Sequence, residues 1–345
     1  MNLENINIDE VVVKLRKNEL SFMPLSSIDL SGLSGNIYQI LTTDSYIYVM
    51  TSTNFYQLNL DGSVYNMFTY SSLPLAPISS VSVYGGGKYF DIINNNIYIF
   101  LQVNYKYYIY LFNSDLNLIK YIHSGNSLIT NIHIYNNKLY VKIHNTEIIS
   151  IYDLTLNFLQ NFIVNVTNSA GEPLAVFNNN LCLVFSITTM NLYSLDSLSS
   201  LGSISLTNGG YANLNYSKSI NSLFLIYSSV NLYINLISGK NITSINTQSS
   251  LNVGIGDYIC TFEKSGYLVF LNNLGLFIYN QNLKMIYSML FSTANMGYQY
   301  LTYNSSNIYF ISGSSTLNVL NYNITEPVSN PLYPADLNLI LGCKC

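Results

Sequence analysis

The feature that most limits what this chain can become is a short strand motif that returns about every 42 residues. A polar turn leads into an apolar run that carries an aliphatic–aromatic pair or its near equivalent. The instances are DSYIYVM around Tyr48, NNNIYIF around Tyr98, NNKLYVK around Tyr140, NNNLCLVF around Cys182, INSLFLIY around Phe224, KSGYLVF around Leu268 and SSNIYFI around Tyr309. Successive spacings are 50, 42, 42, 42, 44 and 41 residues. A fixed period in this range belongs to repeat architectures, in which each unit buries its apolar faces only against its neighbours.

Each repeat holds more than this one strand. A second apolar segment follows it (NFYQLNLDG, YYIYLFNSD, ISIYDLT, MNLYSLD, VNLYINL, LGLFIYNQ, STLNVLNY). Another precedes it (IYQILTT, YFDIINN, ITNIHIYN, PLAVFNN, ANLNYSKS, DYICTFEK, YQYLTYN). A fourth closes the unit (SVYNMFTY, LNLIKYIHS, LNFLQNFIV, LGSISLT, NITSINT, LKMIYSML). Beyond residue 20 almost no helical period is present. Four short strands in about 42 residues is the plan of a propeller blade. The central strands IYIFL, LCLVF and LFLIY read as unbroken apolar runs, as strands buried on both faces should. Tyrosine suits the gap between blades, because its ring fills volume and its hydroxyl reaches a partner at the blade edge.

On these repeats the chain resembles β-propeller repeat proteins over residues 22 to about 328. It lacks the Trp-Asp signature, having no tryptophan, and it lacks the paired-glycine pattern of kelch repeats, since Gly85–Gly87 occur once. The resemblance is architectural and carries over no family's site. The expectation is an all-β chain folded as a seven-bladed β-propeller of four-stranded antiparallel blades. Residues 1–21 form an N-terminal arm outside the repeats, 22–330 the propeller and 331–345 a C-terminal tail. Counting back from Tyr48 by the usual interval reaches SFMPLSSIDLS, a strand-like segment with no blade of its own. Blade seven instead runs into NITEPVSNPLYP, whose prolines disfavour a central strand. Residues 22–31 are therefore expected to supply the outer strand of blade seven and join the two ends of the ring.

Composition narrows the function classes. Charged residues are only 9% of the chain, against about 25% in ordinary globular proteins, and the net charge is −4. Such a balance offers no basic footprint for nucleic acid. No uninterrupted apolar window approaches the length of a membrane-spanning helix, about 18 residues. The N-terminal residues do not read as a secretory signal: the apolar run Val11–Val13 is short, and the basic residues follow it. Cys182 and Cys260 lie in apolar runs and read as buried thiols, whereas Cys343 and Cys345 form a terminal CKC that is either a frayed tail or an intermolecular disulfide pair.

No catalytic constellation stands out. His123, His133 and His144 gather at the junction of repeats two and three, without a carboxylate or cysteine at a supporting spacing for a metal. Asp61, Asp115, Asp153 and Asp196 recur at the ends of third strands. They read as turn residues that bond their own downstream backbone, with a calcium ring as the alternative. Gly85–Gly87 lacks the Lys-Ser/Thr and the following helix of a phosphate loop. The sequons at Asn165, Asn215, Asn241, Asn304 and Asn323 are of the number chance provides in so Asn- and Ser-rich a chain. No catalytic residue, cofactor site or metal site is assigned.

The surface implied is uncharged and rich in Asn, Ser, Thr and the 32 tyrosines. A chain with 17 acidic groups places little stability on carboxylates that acid would protonate. That suits a harsh exterior and close packing against neighbours. In composition alone the chain is similar to structural proteins of viruses that infect thermoacidophilic archaea. The first 20 residues carry seven of the thirty charges. Ile8, Val12 and Leu15 form one stripe if the arm is helical, Val11–Val13 add a strand to a neighbour if it is extended, and a frayed tail is the plain alternative. The expected function is non-enzymatic: a structural or interaction module at a virion or extracellular particle surface, partnered by other structural proteins or by copies of itself. The alternative is a host-attachment propeller binding a glycan or a surface protein, with Tyr84, Tyr89, Tyr105, Lys106, Tyr107 and Tyr108 as exposed loop contacts. A propeller hydrolase or lyase is the third class.

Overall fold

The computed structural model describes residues 24–74, 89–103, 106–123, 129–143, 148–164, 174–177, 180–186, 189–205, 211–217, 222–228, 232–238, 246–251, 260–264, 267–272, 275–279, 285–290, 301–312 and 315–321. They form a seven-bladed β-propeller of four-stranded antiparallel sheets. The chain enters with β1 (Pro24–Asp29). Blade one is β2 (Ile37–Thr42), β3 (Ile47–Thr51), β4 (Asn54–Leu58) and β5 (Val64–Thr69). Blade two is β6 (Phe90–Ile93), β7 (Asn96–Val103), β8 (Lys106–Phe112) and β9 (Leu118–His123). Blade three is β10 (Ile129–Tyr135), β11 (Lys138–Ile143), β12 (Ile148–Asp153) and β13 (Phe158–Ile163). Blade four is β14 (Leu174–Phe177), β15 (Asn180–Ser186), β16 (Thr189–Ser194) and β17 (Ser199–Ser205). Blade five is β18 (Tyr211–Ser217), β19 (Ser222–Ser228), β20 (Leu232–Ser238) and β21 (Asn246–Leu251). Blade six is β22 (Cys260–Lys264), β23 (Tyr267–Asn272), β24 (Gly275–Tyr279) and β25 (Met285–Leu290). Blade seven is β26 (Leu301–Tyr303), β27 (Asn307–Ser312) and β28 (Thr316–Asn321), with β1 as its fourth strand.

The core lies between blades. Every residue of β3 and β4 is buried, because both faces of these strands meet a neighbouring sheet. Tyr48, Met50 and Phe55 of blade one pack with Phe90, Ile97, Ile99 and Phe112 of blade two. Tyr98, Phe100 and Ile109 of blade two meet Ile132, Leu139 and Val141 of blade three. On four outer strands one inward residue joins the gap to the next blade. Phe68 stacks on Phe112 at 4.8 Å, Ile122 packs into the cluster between blades two and three, and Phe162 meets Tyr193 edge-on at 5.4 Å. Ile28 of β1 does the same between blades seven and one.

Polar side chains stitch the inner strands together. Gln39 of β2 accepts hydrogen bonds at Oε1 from the backbone N–H groups of Tyr89 (2.7 Å) and Phe90 (3.0 Å), and donates from Nε2 to the Phe90 carbonyl at 3.0 Å. A single amide thus bonds three backbone groups of blade two. Tyr98 donates its hydroxyl to the Leu154 carbonyl of blade three at 2.7 Å.

The ring closes between the chain's first and last described strands. β1 pairs antiparallel with β28, from Pro24 opposite Leu320 to Asp29 opposite Thr316. Side chains reinforce the seam with blade one: Thr302 Oγ1 accepts from the Thr42 N–H (3.2 Å), and Asp44 accepts from the Ser305 N–H (2.8 Å). In blades one to four the turn before the outer strand repeats a left-handed residue. Leu116, Leu156 and Leu198 stand at φ 59°, 58° and 52° in blades two to four. Leu156 is buried in the gap to blade two, so apolar burial offsets the backbone strain. In blade one the position is Gly62 at φ 91°, and a β-carbon there would run into Cγ2 of Ile28. The closing strand fills the volume that a leucine occupies elsewhere.

Two elements differ from the sequence reading. The fourth strand of blade five begins at Asn246, several residues later than NITSINT suggests. Lys106 is not in a loop but is the first residue of β8, paired with Val103.

Candidate functional site

The outer strands present the feature with the clearest functional chemistry. Each stands last in its sheet, so no described strand pairs with its outer edge. In blades one to four these strands expose large apolar side chains: Val64, Tyr65 and Met67 on β5, Ile119 and Tyr121 on β9, Phe158, Leu159 and Ile163 on β13, and Leu201 on β17. The exposure is substantial, at 62% for Ile163, 56% for Phe158 and Ile119, and 54% for Tyr65. Strands β5, β13 and β17 contain no charged residue. Such edges are normally guarded by lysine, proline or an inward charge. On β9 the guard is Lys120, and its Nζ is drawn to Asn157 Oδ1 of blade three at 2.7 Å. That contact also ties the outer strand of blade two to the turn leading into β13.

The outer strand of blade seven contrasts with these. β1 exposes Ser26, Ser27 and Asp29. Asp29 accepts from the N–H and hydroxyl of Ser31 at 2.8 and 2.9 Å, and these bonds, the backbone one first, hold its carboxyl below the usual range. Among the described residues the rim therefore exposes several large apolar side chains on each of blades one to three, a single leucine among the serines of β17, and polar side chains at the seam. Large apolar side chains exposed along successive blade edges mark an interaction site.

A smaller aromatic spot lies at the edge of blade one. Tyr46 and Tyr65 sit 5.0 Å apart, and the hydrogen bond between their hydroxyls raises the pKa of Tyr46. Asn66 beside them donates to the Asp115 carbonyl of blade two at 2.8 Å.

The structure disposes of several residues singled out from sequence. Tyr89 is not an exposed contact: only 4% of it is accessible, its N–H is held by Gln39, and its ring lies 6.0 Å from Tyr38. It belongs to the gap between blades one and two. Lys106 is exposed and Tyr107 half-buried at the start of β8, the strand next to β9. Tyr108 is buried and packs on His123 at 5.2 Å. Ile8, Val12, Leu15, Tyr84 and Tyr105 lie outside the described residues, as do the arm, the C-terminal tail and His144.

Asp61 and Asp153 serve turns. Asp61 Oδ1 accepts from Ser63 Oγ (2.6 Å) and the Ser63 N–H (2.9 Å), which lower its pKa. Asp153 accepts from Thr155 and Asn157 through both backbone and side-chain donors at 2.8–2.9 Å. Its partial burial opposes ionisation, yet these four donors prevail and hold the carboxyl down at about 2. In blade two Asn113 takes the same role, accepting from the N–H groups of Asp115 (3.0 Å) and Asn117 (2.9 Å). Among the described residues no group of three or more His, Cys, Asp or Glu side chains is placed to hold a metal, and no helix is long and apolar enough to cross a membrane.

The rim residues escaped the sequence reading because apolar content is shared by buried and exposed strands. The available signal was FLQNFI of β13: it is apolar without the polar alternation that a half-solvated edge ordinarily shows.

No protein-family model and no curated protein matches the chain. Solved structures do. BamB from Moraxella catarrhalis superposes with a TM-score of 0.58 at 11% identity, covering 87% of this chain and 100% of that one. Virginiamycin B lyase from Staphylococcus aureus gives 0.66 at 12% identity, covering 87% and 99%. The β-propeller domain of Cps50 (Swd1) from Myceliophteria thermophila gives 0.63 at 8% identity, again covering 87% and 99%. At these identities the likeness is one of fold.

Proposed function

We propose that this chain is a non-enzymatic structural and interaction module, and specifically a component of a virion or comparable extracellular surface assembly. The observation that carries the reading is the almost uncharged outer edge of blades one to four, on which large apolar side chains stand exposed. Such an edge in contact with water invites association, whereas the same edge against a neighbouring protein buries its apolar area and pairs its free backbone groups. The low charge of the whole chain supports the same reading, since tight packing against neighbours then desolvates few ions. The partners implied are other structural proteins or further copies of the chain. Mass spectrometry of purified particles against host cytosol and envelope tests the assignment. Enrichment in particles at a stoichiometry of many copies is expected; recovery in the cytosol alone refutes it.

A second reading, host attachment through a glycan, draws on the Tyr46–Tyr65 pair, because exposed aromatic faces stack on sugar rings. Tyr65→Ala abolishing retention on a glycan array, with the fold intact, would favour it over assembly.

A further inference from the structure

We infer that the outer edge of blades two to four seats a second copy of this chain, so that the protein self-associates through β13 and the strands flanking it. The inference rests on the interaction-module reading and names its partner. Phe158, Leu159 and Ile163 of β13 form the centre, and Ile119 and Leu201 are exposed on the outer strands of the blades before and after it. Side chains of this size, about half exposed, present on the order of 100 Å² each, or roughly 500 Å² together. A standard interface buries about 800 Å² per partner, of which about 57% is apolar, or roughly 460 Å². Summed over the three blades, the apolar area these side chains offer is of the order a specific interface needs.

Charge selects the partner. β13 and β17 carry no charged residue, and Lys120 of β9 is committed to Asn157 within the same chain. A complementary surface must itself be nearly free of charge, apolar and able to offer a strand edge. The chain's own rim meets all three conditions. A two-fold arrangement would place the same uncharged patch on both sides, which is self-complementary by construction. The polar edge of β1 does not meet them.

Sedimentation velocity on the full chain, from low to high micromolar concentration, tests the inference. A reversible oligomer is expected, and Phe158→Glu/Ile163→Glu should weaken association at least tenfold, because like charges would meet across the two-fold. Ser26→Glu at the polar edge should leave association unchanged. If the glutamate pair disturbs folding, Ile119→Lys and Leu201→Lys read the same surface from neighbouring strands. A wild-type chain that remains monomeric at ~100 µM overturns the inference, as does an oligomer indifferent to all the rim variants. A monomer still incorporated into particles through Phe158 and Ile163 refutes self-association while sparing the interaction reading. Rim variants that change neither association nor incorporation overturn both.

Discussion

Replacing Gly62 tests whether the closing strand seats against blade one. Gly62 stands at φ 91°, and the atom its β-carbon would strike is Cγ2 of Ile28; the Cβ and Cγ1 of Ile28 lie at 3.6 and 4.0 Å, in ordinary contact. Gly62→Ala should cost about 1–2 kcal/mol from the left-handed backbone and about 1–2 kcal/mol from that single overlap, roughly 2–4 kcal/mol together. Ile28 is buried, so Ile28→Ala alone should cost about 2–4 kcal/mol. The double variant removes the methyl that the new β-carbon strikes, and should recover about 1–2 kcal/mol relative to the sum. Ile28→Val supplies the control, since valine keeps Cγ2: combined with Gly62→Ala it should be additive within about 0.5 kcal/mol. Urea unfolding followed by far-UV circular dichroism reads all five variants. Additivity with alanine, or equal coupling with alanine and valine, would refute the packing of β1 into the space at Gly62.

Gln39→Ala removes three hydrogen bonds to backbone groups of blade two, and should cost about 3–5 kcal/mol in urea unfolding; a loss under 1 kcal/mol would show that the blades hold together without it. Leu156→Gly should destabilise by about 2–3 kcal/mol, burial outweighing relief of strain, whereas Leu198→Gly, at the equivalent but exposed position, should be neutral or stabilising. The pH response should be lopsided. Burial, aided by like-charged neighbours, pushes Tyr48, Tyr98, Tyr110 and Tyr140 up to about 12. Their folded values exceed the unfolded value near 10, so their contribution is whole below pH ~10 and is lost as pH rises through about 12. Asp153 runs the other way: its contribution is present above pH ~4 and is lost as pH falls through about 2. Stability should therefore hold deep into acid and fail steeply in alkali, with tyrosinate absorbance rising together with unfolding; a steep acid transition near pH 4 would contradict this.

The repeat was legible because blade geometry forces it. Strands buried on both faces must be apolar throughout, and IYIFL and LFLIY advertise that directly. The turns were legible for a related reason: Asp61 and Asp153 sit where a short carboxylate can gather downstream N–H groups. What stayed hidden depends on the third dimension. The motif around Gly85–Gly87 does not reveal that Tyr89 turns inward to meet Gln39, fifty residues away. Nor does composition separate Phe162, buried against blade four, from Ile163 beside it, the most exposed of the rim's apolar side chains. That distinction is set by which way each outer strand faces its neighbour, and it is the distinction on which the candidate site rests. Left-handed leucines at 116, 156 and 198 were hidden too, since leucine is a poor signal for positive φ and tertiary burial decides the matter.

The most direct test of the working surface is hydrogen–deuterium exchange on the isolated chain and on the chain within the assembly from which it is recovered. Residues 64–69, 118–123, 158–163 and 199–205, the outer strands of blades one to four, are expected to lose exchange on assembly, while residues 24–29 at the polar seam keep theirs. Unchanged exchange along those four strands, with protection appearing elsewhere, would contradict the account.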